Sequence, residues 1–254
     1  MSRAQRIAWT LASIGVGLAM IAVWQFIAWK KLVSPVFLPG PVQTWRALFD
    51  GFSQGQLGEQ TLETLQRMVL GWVLASLLGM GLGALIGSSR AARNYLGPTL
   101  EFMRPLPASA MLPVGIAFFG LTKSMVIGVI AFGSIWPMLL ATIHGFAAVE
   151  PRLVEVGRMY HLSRIEFVLK VAFPNAMPDI LAAMRLGLIT ALILSVVGEI
   201  LAFQGGLGSH ILEASRAYQS PDLFAGVIVL GLIGLVSNLL LSVLEDTLLR
   251  WRRT

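Results

Sequence analysis

A chain of 254 residues with 56% hydrophobic and 13% charged side chains, and a mean hydropathy of +0.76, has too little polar material to clothe a soluble domain, in which about 25% charge is usual. The chain therefore belongs with integral membrane proteins. A net charge of +6 would suit a nucleic-acid binder, but the cations fall at the ends of apolar runs, and the lack of cysteine excludes disulfide frameworks and thiolate metal sites.

An apolar run of about 20 residues crosses a bilayer as a helix, because lipid offers no partner to free backbone groups. The first run covers residues 7–29. It is longer than the apolar core of a secretory leader and is followed by Lys30-Lys31 rather than by small residues, so it is expected to stay as an anchor. The second, residues 68–89, lies between Arg67 and Arg90. The third begins near Leu106 and ends before Lys123, with Pro105, Pro107 and Pro113 crowding its start. The fourth, residues 124–149, holds His144 and Pro137, and the proline is expected to kink it. The fifth, residues 186–203, is entered past Arg185 and contains Glu199. The last, residues 223–244, follows Ser220-Pro221-Asp222, which suit a helix cap and first turn. The expectation is an all-α, polytopic transmembrane bundle of about six spans in one domain over residues 1–254. Residues 1–62 supply the first span and an outer connection, and 63–254 a five-span core with a cytoplasmic loop at 150–179.

Lys and Arg set the orientation. With the N-terminus inside, eleven of them fall on inner segments and five on outer ones, so both termini are expected in the cytoplasm. In the outer connection, residues 42–49 suit a short amphipathic helix lying at the interface. In the inner one, Leu153, Val156, Met159, Leu162, Ile165 and Leu169 recur at helical spacing, bracketed by Pro151 and Pro174. Gly79, Gly83 and Gly87 form a row of small residues four apart, which serves either packing within the chain or a subunit interface.

Several chemistries find no support. None of Lys30, Lys31, Lys123 and Lys170 follows a glycine, so no phosphate loop of the G-x-x-x-x-G-K type exists. His144, His161 and His210 are too scattered for a metal cluster. Gly51-Phe52-Ser53-Gln54-Gly55 matches the letters of a hydrolase elbow, but it sits in a short connection without room for the required sheet. No catalytic residue is expected, and the chain reads as a transport component rather than an enzyme.

The segment Glu155-Val156-Gly157-Arg158-Met159-Tyr160-His161-Leu162-Ser163-Arg164, with Phe173-Pro174-Asn175-Ala176-Met177-Pro178 after it, resembles the EAA loop of permease subunits in binding-protein-dependent ABC importers. Glu155 and Pro174 match the family pattern, Val156 and Gly157 replace its alanines, and His161 stands at its glycine position. Leu38-Pro39-Gly40-Pro41, Gly87-Ser88-Ser89-Arg90, Met103-Arg104-Pro105-Leu106-Pro107, Leu186-Gly187-Leu188, Gly198-Glu199-Ile200-Leu201, Gly205-Gly206-Leu207-Gly208 and Leu249-Arg250-Trp251-Arg252-Arg253 resemble the nitrate/sulfonate/taurine branch.

The resemblance implies a pore of two permease subunits, with a homodimer expected, in the bacterial inner membrane. It implies two partner ATPase subunits that bind the ATP and Mg, an extracytoplasmic solute-binding protein, and a coupling helix between spans four and five. It further implies that Glu155, Arg158, Met159, Tyr160, His161, Leu162, Ser163 and Pro174 serve the ATPase contact, with Met159, Tyr160 and Leu162 as apolar knobs. Arg104 either attracts an anionic solute or marks the membrane edge. Glu199 either lines or gates the pathway, or is a structural carboxylate bonded to the 205–208 loop or to a basic residue. An ion-driven carrier or a membrane scaffold are the alternatives. Membrane lipid is a partner and nucleic acid is not.

Overall fold

The computed structural model describes residues 3–249. Arg250, Trp251, Arg252 and Arg253 of the closing motif lie outside the described residues. Every regular element among the described residues is helical. One compact unit takes the chain up to Gln60 together with His210–Leu230, and the other takes Thr61–Ser209 and the chain from Gly231.

In the first unit, α1 (Arg3–Trp29) carries the first apolar run. The Trp24 indole N–H donates to the Pro39 carbonyl at 2.9 Å, and its ring stacks on Phe224. The expected amphipathic helix is α2 (Pro41–Ser53), opened by a proline at its first position while the Gln43 side chain accepts from the Gly40 N–H. Ser53 ends this helix with its hydroxyl on the Asp50 carbonyl, so the hydrolase-like letters form no elbow.

In the second unit, two long helices run side by side. Helix α3 (Leu57–Gly87) and α6 (Lys123–Ala147) meet along Gly71, Ala75, Gly79, Gly83 and Gly87. A Cβ on Gly71 would fall 2.4 Å from Ile130 Cγ2, and one on Gly83 would fall 2.6 Å from the Thr142 Cβ. Gly79 faces Met138 and Gly87 faces Phe146, so the pairing advances in step and the helices are parallel. The small-residue row thus packs within the chain. Pro137 lies inside α6, which continues through it to Ala147.

The third span departs from expectation. Helix α4 (Arg90–Met103), capped by Ser89, and α5 (Met111–Phe119), preceded by a 3-10 turn at Ala108–Ala110, meet at a bend of 76°. Helix α5 alone is about 14 Å long, too short to cross. Proline-rich residues 104–107 break the path, because Pro105 and Pro107 cannot donate to a helical ladder. Yet Lys123 at the start of α6 pairs with Glu63 near the start of α3, so the chain between them must return across the membrane. Helices α4 and α5 together therefore form one broken span, and with the five long apolar helices the described residues hold six candidate spans.

Helix α7 (Pro151–Met159) leads through a turn to α8 (Arg164–Phe167), a π-helical turn (Val168–Ala172) and α9 (Phe173–Ala202). Two expectations fail here. The inner helical segment is two helices rather than one, and Pro174 does not end it. The widened π turn just ahead relaxes the i−4 register that a proline would break. Arg185 consequently lies inside α9, bonded to Glu245 of α11 (Ser220–Leu248) at 2.8 Å. Helix α9 is antiparallel to α6: Ala176 meets Gly145, Gly187 meets Met138 and Gly198 meets Val126. The remaining helix is α10 (Leu207–Arg216).

Candidate functional site

The turn after α7 is built by hydrogen bonds to the last carbonyls of the helix. The Leu162 N–H donates to Gly157 O, and the His161 N–H donates to Arg158 O, both at 3.0 Å. His161 sits at φ 52°, in the left-handed region. This is a Schellman end, whose left-handed position usually falls to glycine because any Cβ there is crowded. The left-handed backbone accounts for the glycine expected at this position from the resemblance, and histidine occupies it at some cost. Leu162, half-buried, folds back toward Gly157, as the motif's apolar closure requires.

Ser163 then caps α8: its hydroxyl accepts from the Glu166 N–H, while the Glu166 carboxylate accepts from the Ser163 N–H at 3.0 Å and from Lys170 at 3.0 Å. Below, Phe167 covers the Gly157 backbone, and Phe146, Ala172, Ala176 and Ile180 form the cluster that seats this knuckle between α6 and α9. The Asn175 amide donates to Gly145 O at 3.2 Å. Glu155, Arg158, Met159, Tyr160, His161 and Ser163 are exposed, with Met159 at 78% and Tyr160 at 77%. Leu162 and Pro174 are half-buried, whereas Ile165 and Leu169, which were not singled out as contacts, lie open.

A cleft of about 610 Å³ opens between the end of α4, the 3-10 turn, α6 and α9. Arg104, His144, Asp179 and Thr190 bring polarity to walls of Leu106, Trp136, Leu140 and Leu186. The Trp136 indole N–H finds no acceptor among the described residues. Arg104 thus lines this cleft.

Glu199 does not line that cleft. It is wholly buried and accepts from Arg67 at 2.9 Å, the Gly208 N–H at 2.8 Å, Thr64 at 3.1 Å and Ser195 at 3.2 Å. Arg67, 3% exposed, also donates to Glu63 at 2.9 Å and to the Gly205 carbonyl. Glu63 in turn reaches Lys123 at 3.1 Å. Gly206, at φ 137°, passes so close that a Cβ there would lie 2.5 Å from the Glu199 carboxyl carbon. Sequence reasoning left Arg67 at a span edge. The available signal was that a carboxylate inside a span requires a cation or protein donors.

Residues 52–254 match the family described as binding-protein-dependent transport system inner membrane components. Over 235 residues the chain is 32% identical to a Bacillus subtilis protein described as an aliphatic sulfonates transport permease, SsuC, covering 92% of this chain and 85% of that one. It is 29% identical to the taurine transport system permease protein TauC of Escherichia coli, covering 94% and 89%. Among solved structures, an inward-facing form of the MetNI methionine ABC transporter shares the fold at a TM-score of 0.67 and 19% identity, covering 76% of this chain and 95% of that chain.

Proposed function

This chain belongs to the family of binding-protein-dependent transport system inner membrane components, in the nitrate/sulfonate/taurine branch of ABC permeases, and from that premise we propose its solute, assembly and point of coupling. It is the membrane-spanning permease subunit of an ABC importer, and ATP hydrolysis belongs to a separate subunit. The solute is a small anion of the sulfonate, taurine or nitrate kind, delivered by an extracytoplasmic binding protein. Two copies of the chain form the pore, and two ATPase subunits hold the ATP and Mg. Both termini face the cytoplasm, as the distribution of Lys and Arg favours and as six crossings require of a chain that starts there.

Met159 and Tyr160 enter a groove on the ATPase, with Glu155, Arg158, His161 and Ser163 around them, while Leu162 and Pro174 hold the shape of the knuckle. What supports this most directly is the exposure of two large apolar side chains on a capped, rigid turn between the very helices that wall the Arg104 cleft. Movement of the ATPase pair at this turn shifts α6 and α9 together against the end of α4 and the 3-10 turn, and the cleft they share opens or closes. Arg104 offers its guanidinium to the anion. Glu199 braces α3, α9 and the 205–208 loop against one another rather than touching solute.

The test is reconstitution with the cognate ATPase and binding protein in liposomes. Met159→Asp should insert and assemble normally but lose solute uptake and solute-stimulated ATP hydrolysis together. Full uptake by that variant would refute the coupling assignment. Uptake of neither taurine, an alkanesulfonate nor nitrate by the unaltered protein would refute the solute class.

A further inference from the structure

The family match begins at residue 52, in the last turn of α2, so α1 and most of α2 stand ahead of the matched core. These two elements share an unusual surface. The apolar window Ala12–Trp29 of α1 has none of its residues buried. On α2, Val42, Trp45, Phe49 and Phe52 project along one stripe, each about half or more exposed, while Thr44 on the opposite side is buried.

Helix α2 has 13 residues and a length of about 20 Å, too short to cross a bilayer. Its start is held to the outer end of α1 by the Trp24–Pro39 hydrogen bond and by Gly40, where a Cβ would lie 3.6 Å from the Ala28 Cβ. The stripe therefore begins at the level where α1 leaves the hydrocarbon. Cations stand at the same level: Lys30, whose Nζ lies 5.0 Å from the Trp29 ring centre, Lys31 and, on the flank of the stripe, Arg46 are all exposed. Tryptophan beside lysine and arginine is the composition of a membrane–water boundary.

We propose that α2 lies flat in the outer leaflet, with its Val42–Trp45–Phe49–Phe52 stripe sunk into the headgroup–acyl boundary and Lys30, Lys31 and Arg46 on anionic phospholipid headgroups. Lipid is the occupant because the stripe continues the uncovered apolar surface of α1 and is bordered by Trp29, Lys30, Lys31 and Arg46, the side chains of a membrane–water boundary. The leaflet assigned rests on the proposed orientation of the termini.

The chain contains no cysteine, so single spin labels can be placed without background. Labels at Val42→Cys, Phe49→Cys and Phe52→Cys are placed in vesicles of phosphatidylethanolamine and phosphatidylglycerol, and collisions with oxygen and with a water-soluble nickel chelate are compared. The stripe positions should favour oxygen, at a depth of about 5–10 Å below the headgroups, while Gln43→Cys and Asp50→Cys should favour the chelate. Replacing phosphatidylglycerol by phosphatidylcholine should raise the Phe49→Cys label toward water. Stripe labels open to the chelate would overturn the proposal. So would stripe labels shielded from both agents, which would mean a protein cover such as a second copy of the chain. A depth indifferent to headgroup charge would overturn the assignment of the three cations. In right-side-out vesicles the Asp50→Cys label should answer external chelate; an answer only to enclosed chelate, with the depth profile intact, would overturn the orientation and hence the leaflet.

Discussion

The two ends of the α3–α6–α9 unit, one around Glu63 and Glu199 and one at the turn after α7, are built on opposite principles. At the first end Glu63, Arg67 and Glu199 are linked by ion pairs, and Arg67 and Glu199 are almost wholly removed from solvent. Loop 205–208 is wrapped around Glu199 so closely that only glycine fits at 206. At the second end the ion pairs are exposed, a histidine holds a left-handed turn, and apolar side chains are uncovered. Buried, mutually satisfied charge fixes one arrangement because losing any partner strands the others. Exposed apolar groups on a capped turn gain only when something covers them. One end keeps its internal geometry, and the other presents uncovered apolar side chains on a fixed turn.

Substitutions that strand charge should break this contrast most strongly. Arg67→Met leaves Glu199 buried without its cation and should cost about 3–5 kcal/mol, read as a large fall in Tm by fluorescence-detected chromatography in detergent. Adding Glu199→Leu should recover much of that loss, and failure to recover would show that the pair is not the source. Gly206→Ala should come next, costing about 1–3 kcal/mol as an added Cβ meets the carboxylate at a strained backbone position. At the turn after α7, His161→Val should cost about 1–2 kcal/mol because a branched side chain resists the left-handed conformation, whereas His161→Gly should raise Tm slightly. Equal Tm for the two variants would remove the Schellman turn from the account. Smallest of all, Lys170→Ala breaks an exposed pair with Glu166 and should change stability by about 0–1 kcal/mol. A shift as large as that of Arg67→Met would abolish the distinction between the ends.

Much of the fold was legible because lipid enforces long uncharged runs: α1, α3, α6 and α11 lie where hydropathy sets them, although α3 begins about three turns earlier than its apolar run. The broken third span was harder. Helix α4 carries Arg90, Arg93 and Glu101 and reads as polar, so only its apolar continuation drew notice. Pro174 reads as a stop by local rules, and only the preceding π turn, a property of hydrogen-bond register, lets the helix proceed. The knuckle was found through its motif, but the fold-back of Leu162 and the exposure of Ile165 depend on where the turn closes. Arg67 and Glu199 lie far apart in sequence, and no local pattern joins them.

The row of small residues on α3 has a mechanical corollary. Where Gly83 lies against α6, an added Cβ would stand 2.9 Å from the Leu139 carbonyl oxygen, so main chain rests almost directly on main chain. Such a seam has no cushion of adjustable rotamers in which a small shove can dissipate. Close approach of this kind leaves the two helices little room to slide or tilt against each other.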